Sequence, residues 1–168
     1  MNIIRHIIRF FLIVLAQSFL LNQIEVGLGI QWMIYPLFIF LLPIKTPIFW
    51  LLFLSFLLGI SIDIFSNTFG LHASSAVFIA AVRNYWYQLI ESKEDLEEME
   101  ELSISQLGFF KIAILQGFLI LLHHLWFFSF EMFKWTEFLF IIQKTLLSMP
   151  CSLALIVIIQ KIFFKKVH

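Results

Sequence analysis

GISIDIFSNTFGLH, residues 59–72, closes an almost wholly apolar run with a carboxylate, a polar turn and a histidine. Residues 47–64 come close to the roughly 20 mostly apolar residues a membrane-spanning helix needs. A second such segment opens at Gly70, which suits a tight turn. The stretch therefore reads as the tip of a helical hairpin. Asp63 is then close to the start of the next helix, whose free backbone N–H groups and positive dipole end favour an anion. His72 lies in the first turn of that helix, and Lys144 is a distant candidate partner. Two roles for Asp63 follow: it clamps the hairpin, or it belongs to an outward site for a partner or ligand.

The rest of the chain calls for the same solvent. Of 168 residues 61% are hydrophobic and 22 are Phe, and mean hydropathy is +0.98. A soluble domain of this length has too much surface for its volume to hide that apolar area. An all-α integral membrane protein is expected, as a single membrane domain over residues 1–168. The formal net charge of zero gives no footing for a nucleic-acid partner. The single cysteine, Cys151, excludes a disulfide within the chain. The N-terminus is basic and then apolar, as in a signal peptide. LAQSFLLNQIEVG (15–27) offers no convincing small-x-small cleavage site, so a retained first helix is expected.

Six segments fit transmembrane helices: about 4–22, 28–44, 47–64, 70–89, 107–130 and 137–163. Pro36 lies inside the second and Pro150 inside the sixth, whereas Pro47 opens the third. PIKTP (43–47) forces the second and third into an antiparallel pair. A re-entrant second segment would leave five spans. With six, and the N-terminus inside, the cytoplasmic side holds Arg5, Arg9, Lys45, Arg83, Lys93, Lys111, Lys161, Lys165 and Lys166. The outer side holds only Lys134, and Lys144 falls within the sixth span. This positive-inside bias places both termini in the cytoplasm and the hairpin tip outside. Tyr85, Trp86 and Tyr87 at the inner interface, and Trp32 and Trp135 near the outer one, match aromatic belts.

ESKEDLEEMEEL (91–102) places seven acids and one lysine in the cytoplasmic loop 91–106. Leu96, Met99 and Leu102 recur at three-residue spacing, which suggests a short amphipathic helix capped by Ser92, with Asp95 three residues on. The loop reads either as a solvated face or as a docking surface for a basic cytoplasmic partner.

Unpaired polar groups are costly in lipid, so each one inside a span should meet protein or water. At about 1.5 Å per residue, Asp63, Asn22, His123, His124 and Lys144 all fall in the outer half, with Gln143 beside Lys144. They are expected to form an outer polar cluster. Gln17, Ser18 and Gln116 lie near mid-depth, and Arg83 is expected to snorkel inward beside the tyrosines. Ser55, Gly59 and Asp63 share one helix face, and Ala73, Ala76 and Ala80, with Ser74 and Ala81, line the next helix. Small residues at such spacing let membrane helices approach closely.

Catalytic signals are weak. His123 and His124 are adjacent and point about 100° apart, a poor metal pair. No nucleotide loop or nucleophile elbow is present. No cofactor, metal or catalytic residue is expected. A proton relay through Asp63, His72, the two histidines and Lys144 is the one chemical alternative.

Gly59-x-x-x-Asp63 at a helix end, a short turn, and then Gly70-Leu71-His72 opening the next helix is similar to the most recognisable feature of the rod shape-determining protein MreD family. AVFIAAVRNY (76–85), closing on Arg83, and the lead-in IYPLFIFLLPIKTP (34–47) fit the same family. The specific likeness covers about Ala16 to Leu89; the remainder agrees in span count, length and hydropathy. The resemblance implies a six-helix fold like that of the substrate-binding (S) subunits of ECF-type vitamin transporters, with a cavity opening outward. It also implies a non-enzymatic subunit of the elongation machinery in the bacterial inner membrane. Such a subunit acts with an MreC-like protein and, indirectly, with MreB, RodA and a class B penicillin-binding protein to direct lateral peptidoglycan synthesis. The long acidic loop departs from the compact family pattern. The alternative is a vitamin-binding S subunit itself. Against it, the first helix, IIRFFLIVLAQSFLL (7–21), has a single alanine and no Ala-x-x-x-Ala contact patch, and mostly aliphatic and Phe groups are expected to line the cavity.

Overall fold

The structure, a computed structural model, describes residues 3–24, 27–99, 101–102 and 104–163. Lys165, Lys166 and Glu100, used above in the charge and loop readings, lie outside the described residues, as do the side chains of Lys93, Glu97, Glu98 and Trp135. Regular structure among the described residues is helical. Helix α1 runs Ile3–Leu15 and continues through a π-helical turn, Ala16–Leu20, and a 3-10 turn, Leu21–Gln23. The other helices are α2 (Pro36–Leu41), α3 (Ile48–Ser66), α4 (Leu71–Ile90), α5 (Lys93–Glu98), α6 (Ile104–Met132) and α7 (Phe138–Phe163). Four stretches are long and apolar enough to cross a membrane: Ile3–Gln23, Ile48–Ser66, Leu107–Met132 and Phe138–Phe163. The chain is that of an all-helical membrane protein.

α4 has 20 residues but a more polar sequence, because it packs between α3 and α6. There protein, not lipid, meets its polar side chains. α7 packs on α6, and α1 packs beside α3. α1 runs parallel to α3: Asn22 bonds Ser66 at 2.6 Å, where α1 and α3 both end. At the other end Arg5 and Arg9 each reach Glu101 at 2.9 Å. These are called the Asp63 end and the Glu101 end.

The continuous helix expected over 28–44 does not form. Only Pro36–Leu41 is helical, and it is buried all round in the middle of the bundle. Two prolines explain the correction. Pro36 occupies the first helical position, where its missing N–H costs nothing. Pro43 pushes Leu42 into extended backbone, φ −69° and ψ 140°. Gly29, at φ 72°, turns the chain before the non-helical stretch 30–35.

The close α3–α4 approach follows from Gly59. A Cβ there would come within 2.6 Å of the His72 carbonyl and nearer still to Ala73. Ser55, Gly59 and Asp63 are buried on α3, and Ala73, Ala76 and Ala80 on α4. Ser74 and Ala81 are exposed, however, and Ser75 takes the buried place instead. The aromatic belt at the Glu101 end is also thinner than expected. Tyr85 is exposed and Tyr87 is buried; Trp86 stacks on Phe118 and donates to the Leu115 carbonyl at 3.1 Å.

Candidate functional site

At the Asp63 end, α3 stops at Asn67 in left-handed backbone (φ 54°), and Gly70 enters α4 at φ 81°. Asparagine and glycine tolerate this region best. The Asp63 carboxylate, 2% exposed, takes the open end of α4. Its Oδ1 accepts from the His72 N–H at 3.1 Å, the His72 imidazole Nδ1 at 2.9 Å and the Thr68 hydroxyl at 2.5 Å. Its Oδ2 accepts from the Ala73 N–H at 2.9 Å. All these bonds lie within the hairpin, as the clamp role requires. Lys144 is not a partner: it donates to Glu131 Oε2 at 2.6 Å and lies over the Phe128 ring, 4.5 Å from its centroid.

The expected outer cluster has an organising element that hydropathy does not show. Non-helical backbone at membrane depth must have its polar groups satisfied by protein, and residues 31–34 draw on side chains from two helices. Gln31 N–H donates to Ser148 Oγ and Met33 N–H to Ser152 Oγ, each at 3.0 Å. Gln17 accepts from the Ile34 N–H at 2.8 Å and donates to the Trp32 carbonyl at 2.9 Å.

Asn22, His123, His124 and Lys144 each reach this segment through one intermediary, whereas Gln143 is exposed and stays outside the cluster. Asn22 Oδ1 accepts from Gln17 at 2.6 Å. His124 Nδ1 donates to the Ile120 carbonyl at 2.8 Å, which leaves Nε2 to accept from Ser152 at 3.1 Å. His123 Nε2 is hydrogen-bonded to the Tyr35 hydroxyl, and the Tyr35 ring packs edge-on to His72 at 5.4 Å. Lys144 acts through Glu131, whose Oε1 accepts from the Gln31 side chain at 3.0 Å.

Arg83 does not snorkel. It is fully buried, and its guanidinium closes the C-terminal end of α2. It donates to the carbonyls of Ile39 (2.6 Å), Leu42 (3.1 Å) and Pro43 (3.0 Å), while Nε donates to Asn84 Oδ1 at 3.1 Å. A cation suits these carbonyls, which lie at the negative end of the helix dipole; those of Ile39 and Pro43 also accept from Leu42 and Thr46. Asp63 and Arg83 thus each serve a helix end of opposite sign.

The acidic segment is partly engaged within the chain. Ser92 Oγ caps α5, accepting from the Asp95 N–H at 3.1 Å. Leu96 and Leu102 are buried, with Met99 packed against the same core. Glu101 meets Arg5 and Arg9, and Glu91 pairs with Lys111 at 2.9 Å.

A cavity of about 550 Å³ lies at the Asp63 end between the close of α1, residues 29–33, the α3–α4 turn and α6. Its lining includes the expected aliphatic and Phe groups, Leu21, Ile24, Ile30, Met33, Phe65 and Phe127, but is more polar than expected. Ser18, Asn22, Gln23, Gln31, Ser66, Thr68, His72 and Glu131 alternate there with Trp32, Phe65 and Phe127. Tyr35, Thr68, Glu131, Ser148 and Ser152 were not singled out from sequence. Ser148 and Ser152, four apart in an apolar helix, are the signal that could have found the segment they hold.

No family model matches this chain, and no curated protein or solved structure matches it.

Proposed function

We propose that this chain is a non-enzymatic, MreD-like scaffold subunit of the bacterial cell elongation machinery, set in the inner membrane with both termini cytoplasmic. The observation that carries the reading is that the residues behind the resemblance work as one device. Gly59, Asp63, Gly70 and His72 lock the α3–α4 hairpin, and Arg83 on the same hairpin holds α2 in the core. The chain runs from Gln31, bonded beside Glu131, to Pro43, bonded to Arg83. That path through the bundle supports six crossings, the second being part irregular and part α2. An S-subunit-like arrangement of those six crossings is part of the proposal. The partner is an MreC-like membrane protein, and through it MreB, RodA and a class B penicillin-binding protein.

The test is co-purification of the tagged chain with the MreC-like protein of the same cell, alongside depletion of the chain. Co-purification and rounding of cells are expected; rods that persist without the chain, and no co-purification, would overturn the reading. Orientation is checked in a Cys151→Ser background. An impermeant maleimide should label Lys134→Cys but not Glu94→Cys in intact cells. The cavity favours one alternative, a vitamin-binding transporter subunit, and co-purification with a transport ATPase in place of the MreC-like protein would establish it.

A further inference from the structure

We propose that the cavity at the Asp63 end binds the uncharged, hydroxyl-rich headgroup of an amphipathic molecule whose alkyl chain lies over Phe19 and Phe65. The inference stands apart from the scaffold reading, which needs no ligand.

Four observations carry it. The cavity, at about 550 Å³, lies within the range of small-molecule sites, about 300–1,000 Å³. Its charges are already matched. Glu131 is paired with Lys144 at 2.6 Å, and the Asp63 carboxylate behind the wall is held by His72 at 2.9 Å. A charged head would find no free counter-charge among these groups, so a neutral one fits best.

Hydrogen-bonding capacity nevertheless remains. Ser18 is 4% exposed, and its Oγ is buried without a partner; the Trp32 Nε1–H is also buried and unpartnered. Both residues line the cavity. Both atoms are covered by protein, so a ligand hydroxyl meets them when the Ser18 and Trp32 side chains turn toward the cavity; a buried donor or acceptor left unmade costs about 1–3 kcal/mol, which that contact relieves. Ser18 sits in the π-helical turn Ala16–Leu20, a distortion frequent at functional sites.

Finally, the lining residue Phe65 is 54% exposed and packs against Phe19, 56% exposed, with ring centroids 5.2 Å apart. This apolar ledge beside a polar recess suits a molecule with a polar head and an alkyl tail.

The test is native mass spectrometry of the full chain released from amine-oxide micelles, with octyl glucoside, dodecylphosphocholine or glucose added at equal micromolar concentration. One retained octyl glucoside per chain is expected, at least tenfold over either other probe. Gln31→Leu should lower retention about tenfold (about 1.4 kcal/mol), and Gln23→Leu, the milder rim substitution, should do so while elution and thermal midpoint hold. Equal retention of the zwitterionic probe overturns the neutral head. Equal retention of glucose overturns the tail. Unchanged retention in a folded Gln23→Leu or Gln31→Leu chain overturns the location.

Discussion

Replacing Asp63 with alanine strips four bonds from one buried site. The N–H groups of His72 and Ala73, bonded at 3.1 and 2.9 Å, lose their acceptor at a position only 2% exposed. Each orphaned buried donor costs about 1–3 kcal/mol, and an anion at a helix N-terminus contributes about 0.3–2 kcal/mol. Relief from desolvating the carboxylate acts against both. The net expectation is a loss of about 3 kcal/mol, well above the roughly 0.6 kcal/mol average for a polar pair between membrane helices. Asp63→Asn keeps one acceptor oxygen for the α4 N-terminus and should lose about half as much. The assay is reversible unfolding in mixed micelles by added SDS, followed by tryptophan fluorescence. A loss under about 1 kcal/mol for Asp63→Ala, or equal losses for Ala and Asn, would refute the clamp.

Three further outcomes follow from the same geometry. Arg83→Lys should destabilise by about 2 kcal/mol or more in that assay, because one ammonium cannot reproduce the planar fork that meets Ile39, Leu42 and Pro43; wild-type stability would remove Arg83 from its capping role. Gly59→Leu should cost more than the 1–3 kcal/mol typical of overpacking, since its Cβ meets Ala73 backbone and the His72 carbonyl, not a yielding side chain; an unchanged melting midpoint would contradict the close contact. Glu101→Gln should destabilise by about 1 kcal/mol or more, because its partner Arg9 is buried and losing the charge of a buried pair costs more than at an exposed one; wild-type stability would contradict the pairing. By releasing Arg5 and Arg9, the substitution should also speed proteolysis within 91–102, and an unchanged cleavage rate would contradict the tie.

The parts legible in the sequence are those whose cause is local. An apolar run, a polar turn with Asn67 and Gly70, and a carboxylate nine residues before His72 suffice to read the hairpin, because capping depends on neighbours in sequence. The Ser92 cap of α5 was legible for the same reason. Segment 28–44 was misread because hydropathy measures affinity for a greasy environment, and a buried non-helical stretch is as apolar as a helix. Pro36 and Pro43, seven apart, were the visible warning. Arg83 was assigned to snorkelling because its acceptors are carbonyls some 40 residues away, which no side-chain pattern announces.

The polar residues of this chain divide by what they serve. Asp63 and Arg83 complete helix ends; Gln17, Ser148 and Ser152 complete the backbone of 31–34; Asn22, His124 and Glu131 position those residues or that segment. None of these requires a substrate, because lipid would leave the same backbone groups unpaired. Lys144 drops out of the proton relay, because it is joined to Glu131 and not to the histidines. Ser18 and the Trp32 indole nitrogen lie outside this division: they serve no helix end or backbone group, remain unpartnered, and belong to the cavity wall. Gln116, Thr145 and Gln160 are also buried without a partner, so an orphaned group alone does not mark a site; Ser18 and Trp32 are set apart by sharing one recess beside an exposed aromatic ledge.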